Sequence, residues 1–234
     1  MVLLGTLVNG ICIIIGTIIG LFFTKIPERH KETIMNGIGL AVVLIGLQMA
    51  LKTENIVIVL LSLLTGAILG ETLNLETKLN NLGNWIESKV KTKNESTISQ
   101  GFITATLVFC IGAMSVIGAL DGGLRNDHEV LITKAFLDGF VSLVLTTTLG
   151  IGVLFSVIPV VMYQGTIALL ATQIERWLPE SFLNQFILEM TATGGLLIVA
   201  IGLNILNVTK IRIANLLPSL LMVAIIVFLY QLYV

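Results

Sequence analysis

Apolar residues fall along this chain in blocks close to the length needed to cross hydrocarbon. About 20 helical residues span a bilayer, and every backbone amide must find its partner within the segment. Counted that way, the pattern predicts eight spans: Val2–Phe23, Ile34–Leu51, Ile56–Leu73, Gly101–Leu120, Leu131–Gly152, Val157–Leu178, Phe186–Leu206 and Ile213–Tyr233. The run from Leu131 to Leu178 is too long for one crossing. It is divided near Ser156 and Pro159, because proline disfavours helix at the residue before it. The expected fold class is therefore all-α, a polytopic membrane protein.

One long polar stretch interrupts the pattern, Asn74–Gln100. Within it Leu75, Leu79, Leu82, Ile86 and Val90 recur at helical spacing beside Trp85, with Glu76, Lys78, Glu87 and Lys89 between them. That spacing predicts an amphipathic helix over 74–99 lying in the cytoplasmic headgroup layer, either a plain connector or a gate or docking helix. Lys and Arg prefer short cytoplasmic loops. With the N-terminus outside, nine of them (Lys25, Arg29, Lys31, Lys78, Lys89, Lys91, Lys93, Lys210, Arg212) face inward against four outward (Lys52, Arg125, Lys134, Arg176), so both termini are expected outside.

Composition agrees with the pattern. The 234 residues are 56% apolar and 12% charged, where a soluble domain carries about a quarter charged residues. A net charge of −1 offers no basic face, so nucleic acid is not an expected partner; the lipid bilayer is. Cys12 and Cys110 both lie in apolar runs, which excludes a disulfide framework. The start of the chain has no Lys or Arg ahead of its apolar run and reads as the first span rather than a removable signal peptide.

Gly39-Leu40-Ala41-Val42-Val43-Leu44-Ile45-Gly46-Leu47-Gln48 aligns with Gly195-Leu196-Leu197-Ile198-Val199-Ala200-Ile201-Gly202-Leu203-Asn204 at six of ten positions. So few apolar letters reach such a match by chance, and the flanks add to it. Asn9-Gly10 is answered by Gln164-Gly165, Ile26-Pro27-Glu28 by Leu178-Pro179-Glu180, and Ser62-Leu63-Leu64 by Ser219-Leu220-Leu221, in the same order. If spans 1–3 recur as 6–8, five crossings separate the two starts, and the copies enter the membrane from opposite faces. The predicted layout is repeat A (1–73), the connector (74–99), two central helices (100–156) and repeat B (157–234). Inverted repeats are the usual architecture of secondary transporters, with sites near the midplane; Gly-rich packing helices that transport nothing are the alternative.

Acids and amides inside spans are costly and point to function. Asp138 lies one turn after Lys134, as a proton- or cation-exchanging group or as a structural partner of that lysine. Glu189, followed by Thr191, Thr193 and two glycines, would suit a cation or polar substrate, or could reach water at the interface. Asn9 and Gln164, the matched amides of the two copies, either line a site or glue helices together. The turn Asp121–Glu129 lacks calcium-loop spacing and reads as solvated. No hydrolase, zinc, dinucleotide or phosphate-loop motif occurs, so an enzyme, a resident metal and a cofactor are not expected. Gly16-x-x-x-Gly20 and Gly66-x-x-x-Gly70 are close-packing motifs, within the chain or in a homo-oligomer.

At Phe109–Leu120, at Lys134 with Leu137-Asp138-Gly139, and at Gly150–Ser156, the chain resembles the YdfK/YqgA-like bacterial inner-membrane proteins. Gly194-Gly195 with Gly202-Leu203-Asn204, and Asn215-Leu216-Leu217-Pro218, extend the likeness over the whole length. The resemblance implies a multi-span helical protein of the bacterial plasma membrane and supplies no activity or site residues. From the repeat and the buried acids, the expected function is a secondary transporter or ion-coupled carrier of a small polar solute or ion. An ion channel and a non-transporting scaffold are the alternatives.

Overall fold

The structure, a computed structural model, describes residues 1–22, 28–78, 81 and 95–233. Most of the amphipathic connector expected over 74–99 lies outside these residues. Among the described residues every regular element is helical. They are α1 (Leu4–Phe22), α2 (Glu28–Ala50), α3 (Ile56–Leu73), α4 (Glu95–Cys110), α5 (Ala113–Leu124) and α6 (Glu129–Leu149), then a 3-10 segment (Gly150–Ser156). They continue as α7 (Val157–Leu169), α8 (Ala171–Trp177), α9 (Glu180–Ile205), a short 3-10 turn (Ile213–Leu216) and α10 (Ser219–Tyr233). The chain divides into two compact units, Met1–Ile34 with Gly83–Trp177, and Met35–Leu82 with Leu178–Val234.

By length and apolar composition five stretches can cross a membrane: α1, α3, the helical run Glu129–Leu169, α9, and Ile213–Leu232; α4 and α5 make a sixth if their bent pair is one span. The chain is thus a polytopic helical membrane protein, and the burial pattern suits lipid as its solvent. On α1 the buried positions are Gly5, Thr6, Asn9, Gly10, Ile13, Gly16, Thr17 and Gly20, a small and polar stripe at 3.6-residue spacing. Leu7, Ile11, Ile15 and Ile18 on the opposite side are exposed. Hydrocarbon offers no hydrophobic drive between helices, so close backbone approach through small residues replaces it.

In the first unit that stripe meets α6. A Cβ added at Gly16 would strike the carbonyl of Gly139 and the hydroxyl of Ser142, and one at Gly20 would come 2.6 Å from the carbonyl of Leu143. Gly5 faces Leu131 and His128. Contacts rising together along both helices make α1 and α6 parallel. Gly10 instead faces Val161 and Val157 while Gly165 faces Leu3 and Thr6, so α7 runs antiparallel to α1. The chain therefore reverses between α6 and α7. The reversal occurs at the 3-10 segment, entered by Gly150 at φ +67°, a conformation open to glycine. Pro159, expected at the turn, sits in the first turn of α7, where its missing N–H breaks no helical bond.

The span expected over Gly101–Leu120 is broken. Its two halves bend by 58° where Gly112 takes φ 147°. Gly101 nevertheless packs on Leu149 at one end of α6, and Gly122 on His128 at the other. The broken pair thus runs the whole of the 21-residue α6, about 31 Å at 1.5 Å per residue.

In the second unit α2 and α9 cross antiparallel through glycines: Gly39 faces Gly202 and Leu206, while Gly46 faces Gly195 and Val199. Gly66 and Gly70 are filled in the same way by Ser219 and Asn215, so α3 and the start of α10 are also antiparallel. Both small-xxx-small motifs are thus occupied by the chain's own helices. Asn55 caps α3, accepting from the amide of Val57 at 3.2 Å, and Asn74 closes it at φ 54°.

Candidate functional site

Four helical segments of the first unit bring a chain of polar side chains into the buried interior. Lys134 and Asp138 lie one turn apart on the buried face of α6, Asn9 on that of α1, Gln164 on that of α7 and Ser115 near the start of α5. Asp138 is the tenth of the 21 residues of α6, at the helix midpoint.

The bonds run in series. Lys134 Nζ donates to Asp138 Oδ2 at 2.5 Å, and Asn9 Nδ2 donates to the same oxygen at 3.0 Å. Asn9 Nδ2 also donates to Gln164 Oε1 at 3.2 Å, and Gln164 Nε2 reaches Ser115 Oγ at 3.4 Å. Ser115 Oγ in turn donates to the carbonyl of Phe109 at 2.8 Å, in the last turn of α4. The polar chain thus ends at the break between α4 and α5.

Electrostatics explain why it is held so tightly. In a medium of low dielectric an isolated charge costs several kcal/mol, so buried acids persist only when paired and hydrogen-bonded. Lys134 and Asp138 sum to zero charge, and the amide of Asn9 shares the load on the carboxylate. One atom stays outside the scheme. Asn9 Oδ1 is buried with no hydrogen-bond partner, and so are Thr6 Oγ1 and Thr17 Oγ1 on the same helix. Buried polar atoms without a partner are rare and call for an explanation.

The matched amides expected from the sequence therefore do meet, and they meet Asp138. Glu189, Thr191 and Thr193 lie elsewhere, on α9 of the second unit. Glu189 is fully buried. Its carboxylate accepts from Thr53 Oγ1 at 2.6 Å and from the amides of Glu54 and Asn55 at 3.1 and 2.9 Å. An anion there satisfies the free amides ahead of α3 and complements its dipole. The acid does not reach water, and its bonding capacity is committed to the turn between α2 and α3. Thr191 Oγ1 bonds back to the carbonyl of Ile187 at 2.7 Å, while Thr193 Oγ1 has no partner.

Sequence reasoning missed Ser115. Its only local sign is its place three residues after Gly112, in a chain that has 22 glycines. The turn Asp121–Glu129 is held by its own groups and by the amine of Met1. Arg125 pairs with Asp121 at 3.3 Å, Asp127 accepts from the amide of Glu129, and the N-terminal amine donates to Asn126.

Comparison with known proteins agrees with the likeness seen in the residues. The family described as "Protein of unknown function (DUF554)" matches residues 4–228. The chain is similar to "Uncharacterized membrane protein YdfK" of Bacillus subtilis (strain 168), 34% identical over 229 residues, 96% of this chain and 95% of that one. It is likewise similar to "Uncharacterized protein YqgA" of Escherichia coli (strain K12), 32% identical over 227 residues, 94% of each. No solved structure matches. With a family match over nearly its whole length and two relatives aligned over 94% or more of each chain, the chain belongs to the DUF554 family.

Proposed function

We propose that the chain is a secondary transporter, an ion-coupled carrier of a small polar solute or ion across the bacterial plasma membrane, with Asn9, Asp138 and Gln164 at its binding site and Lys134 and Ser115 beside them. The observation that carries this reading is the buried chain of bonds from Lys134 to Ser115. It is centred on the midpoint of a membrane-length helix and ends at a discontinuous one. Polar groups at mid-depth beside a broken helix are the ordinary makings of a carrier site. Full burial of Asn9 and Gln164 favours an occluding carrier over a standing pore.

The proposal includes eight crossings and an inverted repeat. Dividing the Glu129–Leu169 run at its reversal, counting the broken α4–α5 pair once and including α2, whose apolar part is Asn36–Ala50, brings the number of crossings to eight. Three observations support the repeat. The matched amides Asn9 and Gln164 bond to each other. Gly39 and Gly46, aligned with Gly195 and Gly202, touch them crosswise, Gly39 against Gly202 and Gly46 against Gly195. Such reciprocity is what a two-fold relation demands. Finally, each matched pair of helices (α1 with α7, α2 with α9, α3 with α10) runs antiparallel, as an axis in the membrane plane requires. In this reading Glu189 is a positioning group for α3 and does not touch the cargo.

The test is flux. Purified protein in liposomes is expected to take up its cargo saturably from a broad screen of ions and polar solutes, with uptake lost in Asp138→Asn and reduced in Gln164→Leu. Correctly inserted protein that moves nothing in such a screen refutes the proposal.

A further inference from the structure

We propose that the cargo held at Asn9 is a small uncharged solute that both donates and accepts hydrogen bonds, as amides and alcohols do, with Asn9 Oδ1 as the acceptor that selects it. This rests on the carrier reading above and names the class of its substrate.

The bonds around Asn9 fix which way its amide faces. A carboxylate accepts and does not donate, so the Asn9 atom 3.0 Å from Asp138 Oδ2 is the nitrogen. The second N–H of that nitrogen goes to Gln164 Oε1. Gln164 Nε2 is thereby turned toward Ser115 Oγ, whose own proton goes to the carbonyl of Phe109. Donor direction is therefore set all the way from the carboxylate to the break between α4 and α5. Two bonding positions stay open along it among the described residues. Asn9 Oδ1, an amide oxygen that can only accept, is fully buried without a donor, and Gln164 Nε2 uses one of its two N–H groups.

Packing leaves room beside these atoms. A Cβ added at any of the buried glycines of α1 (Gly5, Gly10, Gly16, Gly20) would come under 3.0 Å from a neighbouring helix. At Gly165, the buried residue after Gln164, it would lie 3.7 Å from Leu3 and 4.0 Å from Thr6, which is ordinary contact. Thr6 lies one turn before Asn9 on the same buried face, and its hydroxyl has no partner. A hydroxyl donates or accepts as required, so it adapts to either group of a solute bound there.

The charge around Asn9 disfavours an ion. Among the described residues of the first unit, Lys134 and Asp138 are the only buried side chains of formal charge, and they neutralise each other at 2.5 Å. An ion of either sign entering beside them would bring a charge without a counter-charge into a medium that penalises it heavily. An uncharged solute leaves the pair closed. Its N–H or O–H satisfies Asn9 Oδ1, and its oxygen accepts from the open N–H of Gln164. A solute of the same shape without a donor would leave Asn9 Oδ1 stranded, so the site discriminates by hydrogen-bonding capacity.

Full-length protein in liposomes, given labelled acetamide, urea and glycerol beside labelled methylammonium, rubidium and chloride, tests the proposal. Saturable uptake above that of protein-free vesicles is expected for the uncharged probes alone. Acetamide, acetone and acetate share one size and shape, but acetone has no donor and acetate is charged. Unlabelled acetamide should therefore compete with the transported probe at a concentration at least about tenfold below that of acetone or acetate, the difference expected when a bond to a buried group goes unmade. Gly165→Ala adds a methyl at ordinary contact distance, so it should resist unfolding in SDS as well as the wild type does. By filling the room beside Gln164 it should nevertheless raise the half-saturating concentration at least about tenfold. A helix contact that binds nothing would not show that rise. Uptake confined to methylammonium, rubidium or chloride overturns the uncharged class but leaves the carrier standing; absence of all flux overturns both. Acetone competing as well as acetamide overturns the role of Asn9 Oδ1. An unmoved half-saturation in Gly165→Ala, or its unfolding more readily than the wild type, overturns the placement beside Gly165.

Discussion

Asp138→Leu removes the only counter-charge of Lys134, and the structure sets how much that should cost. Both side chains are under a tenth exposed, at 8% and 7%, so solvent does little to screen the lysine that remains. Breaking a buried pair from one side costs about 3–5 kcal/mol, since it leaves an uncompensated charge. Asn9 Nδ2 also loses one of its two acceptors but keeps Gln164 Oε1, so its share is smaller. Lys134→Leu should cost a similar amount from the other side, the carboxylate being left with a single amide donor. The double variant Lys134→Leu/Asp138→Leu removes both charges and replaces them with apolar volume, which is often near neutral. The coupling energy, the cost of the double less the sum of the singles, should therefore be about 6 kcal/mol or more in magnitude, roughly ten-thousandfold or more in the folding equilibrium. Reversible unfolding in mixed micelles over a range of SDS mole fraction measures all four corners of the cycle. Single variants that each cost under about 1 kcal/mol and simply add would refute the reasoning. They would mean that the lysine escapes to the interface instead of being pinned on Asp138.

Three other outcomes are expected. Glu189→Gln, which weakens three bonds ahead of α3, should lower stability by about 1.5–3 kcal/mol in the same assay while leaving the half-saturation of flux unchanged. Gly46→Val and Gly195→Val each force α2 and α9 apart; each should cost about 1–3 kcal/mol, and the pair less than the sum, because both act at one crossing. Single cysteines placed at Val2 or at Val234, in a chain freed of Cys12 and Cys110, should react with a membrane-impermeant maleimide on intact cells if both termini face outward; protection of either end until lysis refutes that orientation.

Much of this arrangement was legible in the chain because its signals are local or periodic. The span expected over Ile56–Leu73 is α3 to the residue, bounded by Asn55 and Asn74, whose side chain or backbone suits helix ends. Lys134 and Asp138 meet because four residues make one helical turn, and Asn9 bonds to Gln164, the residue its sequence context matches. What stayed hidden depends on partners far away in sequence. Nothing in Glu189 and its threonines announces that the turn at Thr53–Asn55, 134 to 136 residues earlier, supplies its three donors among the described residues. The break at Gly112 is one glycine among 22, and only its φ of 147° distinguishes it. At the α6–α7 reversal, proline was the conspicuous residue, yet the turn uses Gly150, because a positive φ is what reversing the chain there requires.

The hold of Glu189 on the turn before α3 has a consequence for motion. Three bonds to a buried carboxylate cannot part without stranding it, so they tie the turn ahead of α3 to α9. The first unit, in contrast, contains two joints at which the helical ladder is already interrupted, Gly112 and Gly150, and the polar chain ends against one of them. In the proposed carrier the joint at Gly112 lies at the end of the polar chain that would hold the cargo.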